Sequence, residues 1–177
     1  RINADGLGTQ NMDTPAAIAA FVSGEGGIYP TGTWMIGSFE QEAETPGRPL
    51  YKSYAVFPYP HLWGEHVEFV SGHSWVVPAR KRSDAQRRAI ARFFKFMAAH
   101  NYDWARTGHI PAFKAVLDDP RFKALPHRAD IAPLAEMGRP LPSYVLRQNA
   151  IEGIVGEEAA AAFTGQKPVP RALADAE

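Results

Sequence analysis

The chain has 177 residues, 45% of them hydrophobic, and a formal net charge of zero, enough for one ordinary domain with a real core. The balanced charge gives no electrostatic pull toward nucleic acid or an anionic membrane surface. The absence of cysteine excludes disulfides, thiolate metal sites and a cysteine nucleophile, and no apolar run approaches the ~20 residues that cross a bilayer as a helix.

Residues 1–13 carry no clear period and read as loop. Arg1 stands where an initiator Met or a signal peptide would, so the chain reads as a processed or truncated piece. Thr14-Pro15 opens a helix, with Thr as cap and Pro at the first position. Ile18, Phe21 and Val22 form its apolar face and Gly24 stops it. Glu25–Tyr29 reads as a short buried strand that breaks at Gly32, just before Trp34. A second short helix is expected from Thr33 to about Gln41, and residues 42–50 as a polar surface loop.

Tyr54–Phe57 reads as a strand. It runs into Pro58-Tyr59-Pro60, where two prolines forbid central pairing and fix an extended path. Val67–Val77 reads as a strand broken at Ser71-Gly72. Ser83 to Gln86 is a capping box. It opens an amphipathic helix with Ile90, Phe93, Phe94 and Met97 on one face. The basic residues Arg80, Lys81, Arg82, Arg87, Arg88 and Arg92 read as a solvated face, since no aromatic residues interleave on the basic side. Short helices follow at Asn101–Arg106, Phe113–Leu117 and Arg121–Leu125, and residues 126–142 read as irregular. Ser143 is the expected cap of a last long helix. Its stripe is Ile151, Ile154, Val155, Ala159, Ala162 and Phe163, and Gly165 ends it. Pro170–Glu177 closes the chain as a helix. The pattern is mostly helix with about four short strands, a mixed α/β class.

Several chemistries can be weighed. His61 and the Glu65-His66 pair resemble an inverted zinc motif with one residue too many between them, and Gly64 argues against the helix that motif needs. No nucleophile elbow or phosphate loop is present. Glu65 and Glu68 are near each other, as the paired carboxylates of a glycoside-acting enzyme must be. A charged strand edge is the commoner explanation, and nothing in the sequence marks either as buried. The aromatics carry a stronger signal. Trp34, Tyr59, Trp63, His73 and Trp75 fall at strand ends, crossings or glycine breaks. Trp and Tyr join an apolar face to a polar tip, as the C–H face of a sugar ring requires. Trp75 and Trp104 read as core.

In this order the pieces resemble a known family. Phe21-Val-Ser-Gly-Glu-Gly-Gly-Ile-Tyr-Pro-Thr-Gly-Thr-Trp34 resembles the F-x-x-G-x-x-A-M-x-x-x-G-x-W signature of the family 1 extracellular solute-binding proteins of carbohydrate ABC transporters, which include maltose-binding protein. Here Gly27-Ile28 stands where Ala-Met is usual. Tyr54–Pro60 resembles the family's Y-x-V-x-P-x-P crossing. Ser71-Gly72-His73, Val77-Pro78 and the Ala/Phe-rich helix resemble its return strand. Trp104 to Ala112 resembles its G-x-[IL]-P-A turn. Phe163-Thr-Gly-Gln-Lys-Pro168, followed by Arg171-Ala-Leu173, resembles its ending.

The resemblance implies a type II, periplasmic-binding-protein-like two-lobed α/β fold, incomplete here and predominantly helical with short strands. Residues 1–57 and 131–177 would belong to the C-terminal lobe. Residues 58–65 would cross between lobes, and 66–130 would return to an N-terminal lobe that is mostly absent. The strands of 67–77 would then lack sheet neighbours, unless a second chain completes the fold. The implied function is non-catalytic and needs no cofactor or metal. A carbohydrate is captured between lobes that close about a hinge and is presented to ABC permease subunits in the membrane. The implied location is periplasmic or extracellular, as an anchored lipoprotein in a Gram-positive cell. Trp34 beside Gly32 would be the stacking platform, with Gly72 and His73 approaching from the other wall, where relatives have Gly-Gly-Trp. Trp63, Tyr144 and Arg147, the last two early on the long helix, are further ligand-binding candidates. The competing expectations are a glycoside-acting enzyme using Glu65 and Glu68, and a helical interaction module docking through the Ile151–Phe163 stripe.

Overall fold

A computed structural model describes residues 5–8, 12–61 and 64–177. The chain divides into two compact units, one of Arg1–Ala19 with Pro140–Glu177 and one of Ala20–Arg139. Helix α1 spans Thr14–Val22. Its cap is Asp13 rather than Thr14. The Asp13 carboxylate accepts a hydrogen bond from the Ala16 N–H at 2.9 Å, where a full negative charge also meets the positive end of the helix.

The larger unit starts with the end of α1. Gly24 N–H donates to Phe21 O and Glu25 N–H to Ala20 O, with Gly24 at φ +79°. This paired closure of a helix C-terminus needs the left-handed backbone that glycine adopts without penalty. The strand expected at Glu25–Tyr29 does not form, and Ile28 is 89% exposed. Gly24, Gly26 and Gly27 leave this stretch few side chains to pack. It is anchored instead by Tyr29, whose ring meets Phe21 at 5.8 Å and Phe39 at 6.1 Å.

A single 3-10 turn, Thr33–Met35, leads into α2, Ile36–Glu44, so the expected helix runs three residues further than its pattern showed. Met35, Ile36, Phe39 and Leu50 are buried, the last inside the stretch expected to be a polar loop. Together with Ala105, Phe122 and Ile131 they make the core of this unit. Phe39 and Tyr54 meet edge to face at 5.7 Å.

The expected strand at Tyr54–Phe57 is absent: the segment is unpaired and Phe57 is exposed. Of Val67–Val77 only β1, Glu68–Phe69, joins a ladder. It pairs in parallel with β2, Gly138–Arg139, and Val70 N–H adds a bond to Arg139 O. Beyond it Trp75 and Val76 are exposed. Strand propensity is largely the fit of a side chain to a pleated, half-buried surface. Among the described residues no neighbouring strand supplies that surface.

Helix α3, Asp84–Ala99, carries the expected capping box: Ser83 Oγ accepts from Gln86 N–H and Gln86 Oε1 accepts from Ser83 N–H. Its apolar face is only partly covered, with Phe93 and Phe96 exposed and Trp75 set edge-on to Phe93 at 5.3 Å. Short helices follow: α4, Asn101–Ala105; α5, Lys114–Leu117; α6, Pro120–Lys123. Residues 126–142, expected to be irregular, contain α7, Arg128–Ile131, and α8, Leu134–Met137, as well as β2. Isolated single-turn helices are marginal in water. Burial of Ile131 and Arg128 holds α7 in place.

In the smaller unit α9, Gln148–Phe163, and α10, Val169–Ala176, pack together. Gly165, at φ +75°, turns the chain between them. Lys167 Nζ bridges the two helices, donating to Glu158 and, at 2.9 Å, to Asp175. Ser143 does not cap α9. The helix starts five residues later, after Arg147, which sits at φ +59°. The Ile151, Ile154 and Val155 stripe stays about half exposed. The described residues are thus mostly helical. The four expected strands reduce to one two-residue parallel ladder.

Candidate functional site

Trp34 lies in the 3-10 turn between two structural demands. The residues after it, Met35 and Ile36, are buried, while Trp34 itself remains 46% exposed. The turn therefore presents the indole instead of burying it. Gly32 precedes it, and a Cβ there would come within 2.5 Å of Trp34 Nε1. The indole lies back over the bare Cα of Gly32, so this glycine is needed for ring placement rather than for ending a strand.

A second segment seats directly against this turn. Gly37 N–H donates to Thr107 O at 3.2 Å, and a Cβ on Gly37 would stand 2.5 Å from that oxygen. Gly108 is buried, with φ +127°, and a Cβ there would collide with the Thr33 carbonyl. Two glycines let the backbones of 33–37 and 107–108 touch. Trp34 and His109 each lie one residue from that contact.

His109 belongs to a cluster of three rings. It packs on Trp104 at 4.3 Å between centroids and 34° between planes. His73 meets Trp104 at 6.4 Å and His109 at 6.2 Å, edge to face in both cases. Thr107 Oγ1 donates to Trp104 O at 2.7 Å and lies 3.2 Å from His109 Nδ1. A hydroxyl has one proton. With that proton on Trp104 O, Thr107 accepts from Nδ1–H, and neutral His109 keeps Nε2 as an acceptor. Burial, and then the neighbouring His73, hold the His109 imidazole below its ordinary pKa.

The structure therefore brings Gly32 to Trp34, and His73 to a pair the sequence reading did not single out. Trp104 was expected in the core and is 44% exposed. His109 figured only as part of a turn motif, and that motif was the available signal. Gly72 is exposed with open space around its Cα, so no steric demand fixes it as glycine. Trp75, also expected in the core, is 65% exposed. Trp63 lies outside the described residues. Tyr144 and Arg147 belong to the smaller unit and precede α9 rather than lying on it. Tyr144 is 84% exposed. Arg147, with Ser143, Val145, Leu146, Gln148 and Asn149, lines an open depression of about 450 Å³.

The other constellations resolve into local pairs. His61 contacts Gly64 O at 2.7 Å and stacks on His66, which pairs with Glu68 at 3.2 Å. No group of three or more metal-ligating side chains occurs among the described residues. Glu65 is exposed, 4.0 Å from Arg139. Glu68 is engaged by His66. In the basic stretch Arg82 is tied back to Pro78 O and Arg80 O, and Arg87 to Arg82 O and Asp84.

The family model described as bacterial extracellular solute-binding protein matches residues 2–130. This chain belongs to that family. The matched span contains Trp34, Gly32, Gly72, His73, Trp104 and His109. None of the curated proteins and none of the solved structures compared with the chain matches it. As an extracellular solute-binding protein it has a solute as ligand, a transporter as partner and an extracellular or periplasmic location. Such proteins are in general not enzymes, so the family does not favour the glycosidase alternative. No helix among the described residues is long and apolar enough to cross a membrane.

Proposed function

We propose that this solute-binding protein is the capture component of an ABC importer, that its solute is a sugar or oligosaccharide, and that it hands the solute to permease subunits in the membrane. The observation that carries the reading is the exposed indole of Trp34, held over Gly32 on a turn whose next two residues are buried. An indole fixed in this way offers a flat apolar face with an N–H at its rim. That suits the alternating C–H and O–H surface of a pyranose. Because the ring is already placed, little ordering is required when ligand arrives. The ordered motifs shared with carbohydrate-binding relatives support the same solute class. We read the sugar site as Trp34 and Gly32 on one wall, with Gly72 and His73 opposite.

Titration calorimetry of the full chain against a panel of mono- and oligosaccharides tests this. Wild type should bind at least one sugar, and Trp34→Ala should weaken that binding by ~10-fold or more, as expected for loss of a buried aromatic anchor, while leaving the unfolding midpoint nearly unchanged. Equal binding by wild type and Trp34→Ala would remove Trp34 from the site. Failure of every sugar would remove the substrate class.

A further inference from the structure

We propose that His73, Trp104 and His109 form a subsite for an acidic group, so that the solute is a carboxylate-bearing sugar such as a uronide. This rests on the sugar-binding reading of Trp34 and narrows it.

Three observations meet here. First, two imidazoles sit 6.2 Å apart, centre to centre, at 70°. That is close enough for a single carboxylate at their common rim to accept a hydrogen bond from each at the ~2.8 Å usual for a charged pair. Second, the adjoining described segments place no free acid there. The 70–77 segment has His73 as its only titratable side chain, and residues 33–37 and 110–113 have none. The titratable groups that α4 and its end contribute are Tyr102, Asp103 and Arg106. Asp103 is engaged by His100 at 3.1 Å and Arg106 at 3.9 Å, and Arg121 lies over the Tyr102 ring. Third, the Thr107 hydroxyl occupies His109 Nδ1, so Nε2 is the atom left for a ligand, and it donates to an acid once the ring is an imidazolium. Trp104 backs His109 on one face and keeps its own apolar surface partly open for the sugar ring.

The protonation logic follows from the same contacts. Without ligand, burial and His73 keep His109 neutral toward lower pH than a free imidazole. A bound carboxylate reverses this by favouring the His109 imidazolium. The complex then holds more protons than the free protein, so affinity for the acid rises as pH falls through the imidazole range. The limit is ~10-fold per pH unit for each proton taken up. The sugar carboxylate stays ionised throughout that window. Neutral sugars lack the counter-charge and gain nothing from acidification.

The test is calorimetry of the full chain with two matched pairs, galacturonate against galactose and glucuronate against glucose, and with the corresponding short oligomers. Titrations are run at about pH 5.5 and about pH 8, spanning the imidazole range, in two buffers of different ionisation enthalpy to count protons. The expected result is tighter binding of the acids, stronger at the lower pH and accompanied by proton uptake. His73→Gln and His109→Gln together should abolish the acid preference and the proton uptake. Residual Trp34-dependent binding of the sugar ring should remain, and unchanged unfolding midpoints would show that the variants fold. If neutral and acidic sugars bind alike at both pH values, or if the double variant keeps the preference, this inference is overturned and the sugar-binding reading stands. If no sugar of either kind binds wild type, both fall.

Discussion

Arg128 offers the sharpest test of how the larger unit is held together. It has no exposed surface. Its Nη1 donates to Glu40 Oε1 at 2.9 Å and to Pro126 O at 3.1 Å, and its Nη2 donates to Arg106 O at 2.7 Å. Its Nε is buried without a partner. Each bond to a charged donor contributes ~1.5–3 kcal/mol net, but burying the two charges costs several kcal/mol per ion. The intact arrangement therefore adds little to stability. Removing one member does more harm, because it strands the other. Arg128→Met should cost ~3–5 kcal/mol near neutral pH, the usual penalty for an uncompensated buried charge. Adding Glu40→Gln should recover part of it, with a coupling energy of ~1–3 kcal/mol. The pH dependence gives a second check. Burial holds the Glu40 carboxyl above its ordinary value even though Arg128 pulls it down. Without Arg128 it rises further. A carboxyl whose folded pKa exceeds its unfolded one takes up a proton on folding, so stability grows as pH falls through that window. The Arg128→Met deficit should therefore shrink between about pH 7.5 and about pH 5, where such a carboxyl gains its proton. Urea unfolding at both values measures it. A deficit under ~1 kcal/mol, that of an ordinary exposed pair, or one that grows on acidification, would refute the reasoning.

Gly108→Ala combines a strained backbone at φ +127° with a clash against the Thr33 carbonyl, and should lower stability by at least ~1–3 kcal/mol in urea unfolding. Gly72→Ala, where the added methyl meets open space, should stay within ~0.5 kcal/mol. Ser83→Ala removes the α3 cap and should cost ~1 kcal/mol, seen as faster hydrogen exchange in the first turn of that helix. Burial, then Glu40, raises the Tyr54 phenol to about 12. Its phenolate absorbance should therefore lag behind that of exposed tyrosines. Because the unfolded chain ionises first, its share of stability is complete below the ordinary tyrosine value and disappears as pH rises through about 12. In Tyr54→Phe that alkaline loss should be smaller.

What the sequence disclosed follows the range of the interactions. Gly24 and the Ser83–Gln86 box act within one turn, and both perform as their residue types require. The cap of α1 was misplaced by one residue, because Asp13 and Thr14 are both good caps and only geometry chooses between them. The β-rich stretches at Tyr54–Phe57 and Val67–Val77 failed as strands for a different reason. A strand needs a partner, and the pattern of one segment carries no information about whether a neighbour exists. Leu50 and Phe122 give little local sign of burial, since what covers them arrives from distant elements. Membership of the extracellular solute-binding proteins, though not the carbohydrate-specific group within them, was legible because it rests on the order of motifs, which survives local error. The geometry of the candidate site was half legible. Trp34 announced itself through Gly32, but Trp104 and His109 are defined by a contact between Gly37 and Thr107, seventy residues apart, and a tryptophan in an amphipathic helix reads as core until that contact is known.

The junction between residues 33–37 and 107–108 brings together main-chain atoms: an amide, two carbonyls and two bare Cα positions. Neither Trp34 nor His109 supplies an atom to the hydrogen bond that joins the segments. A change of side chain at either position leaves the joint standing. Folding and the proposed solute contacts are thus written in different letters of this segment, glycines for the one and aromatic residues for the other. A lineage, or a designer, can exchange an indole for another ring or an imidazole for a hydroxyl and inherit the same hinge-free mount. Drift in ligand preference at this corner should accordingly be easy, and drift at Gly37 or Gly108 hard.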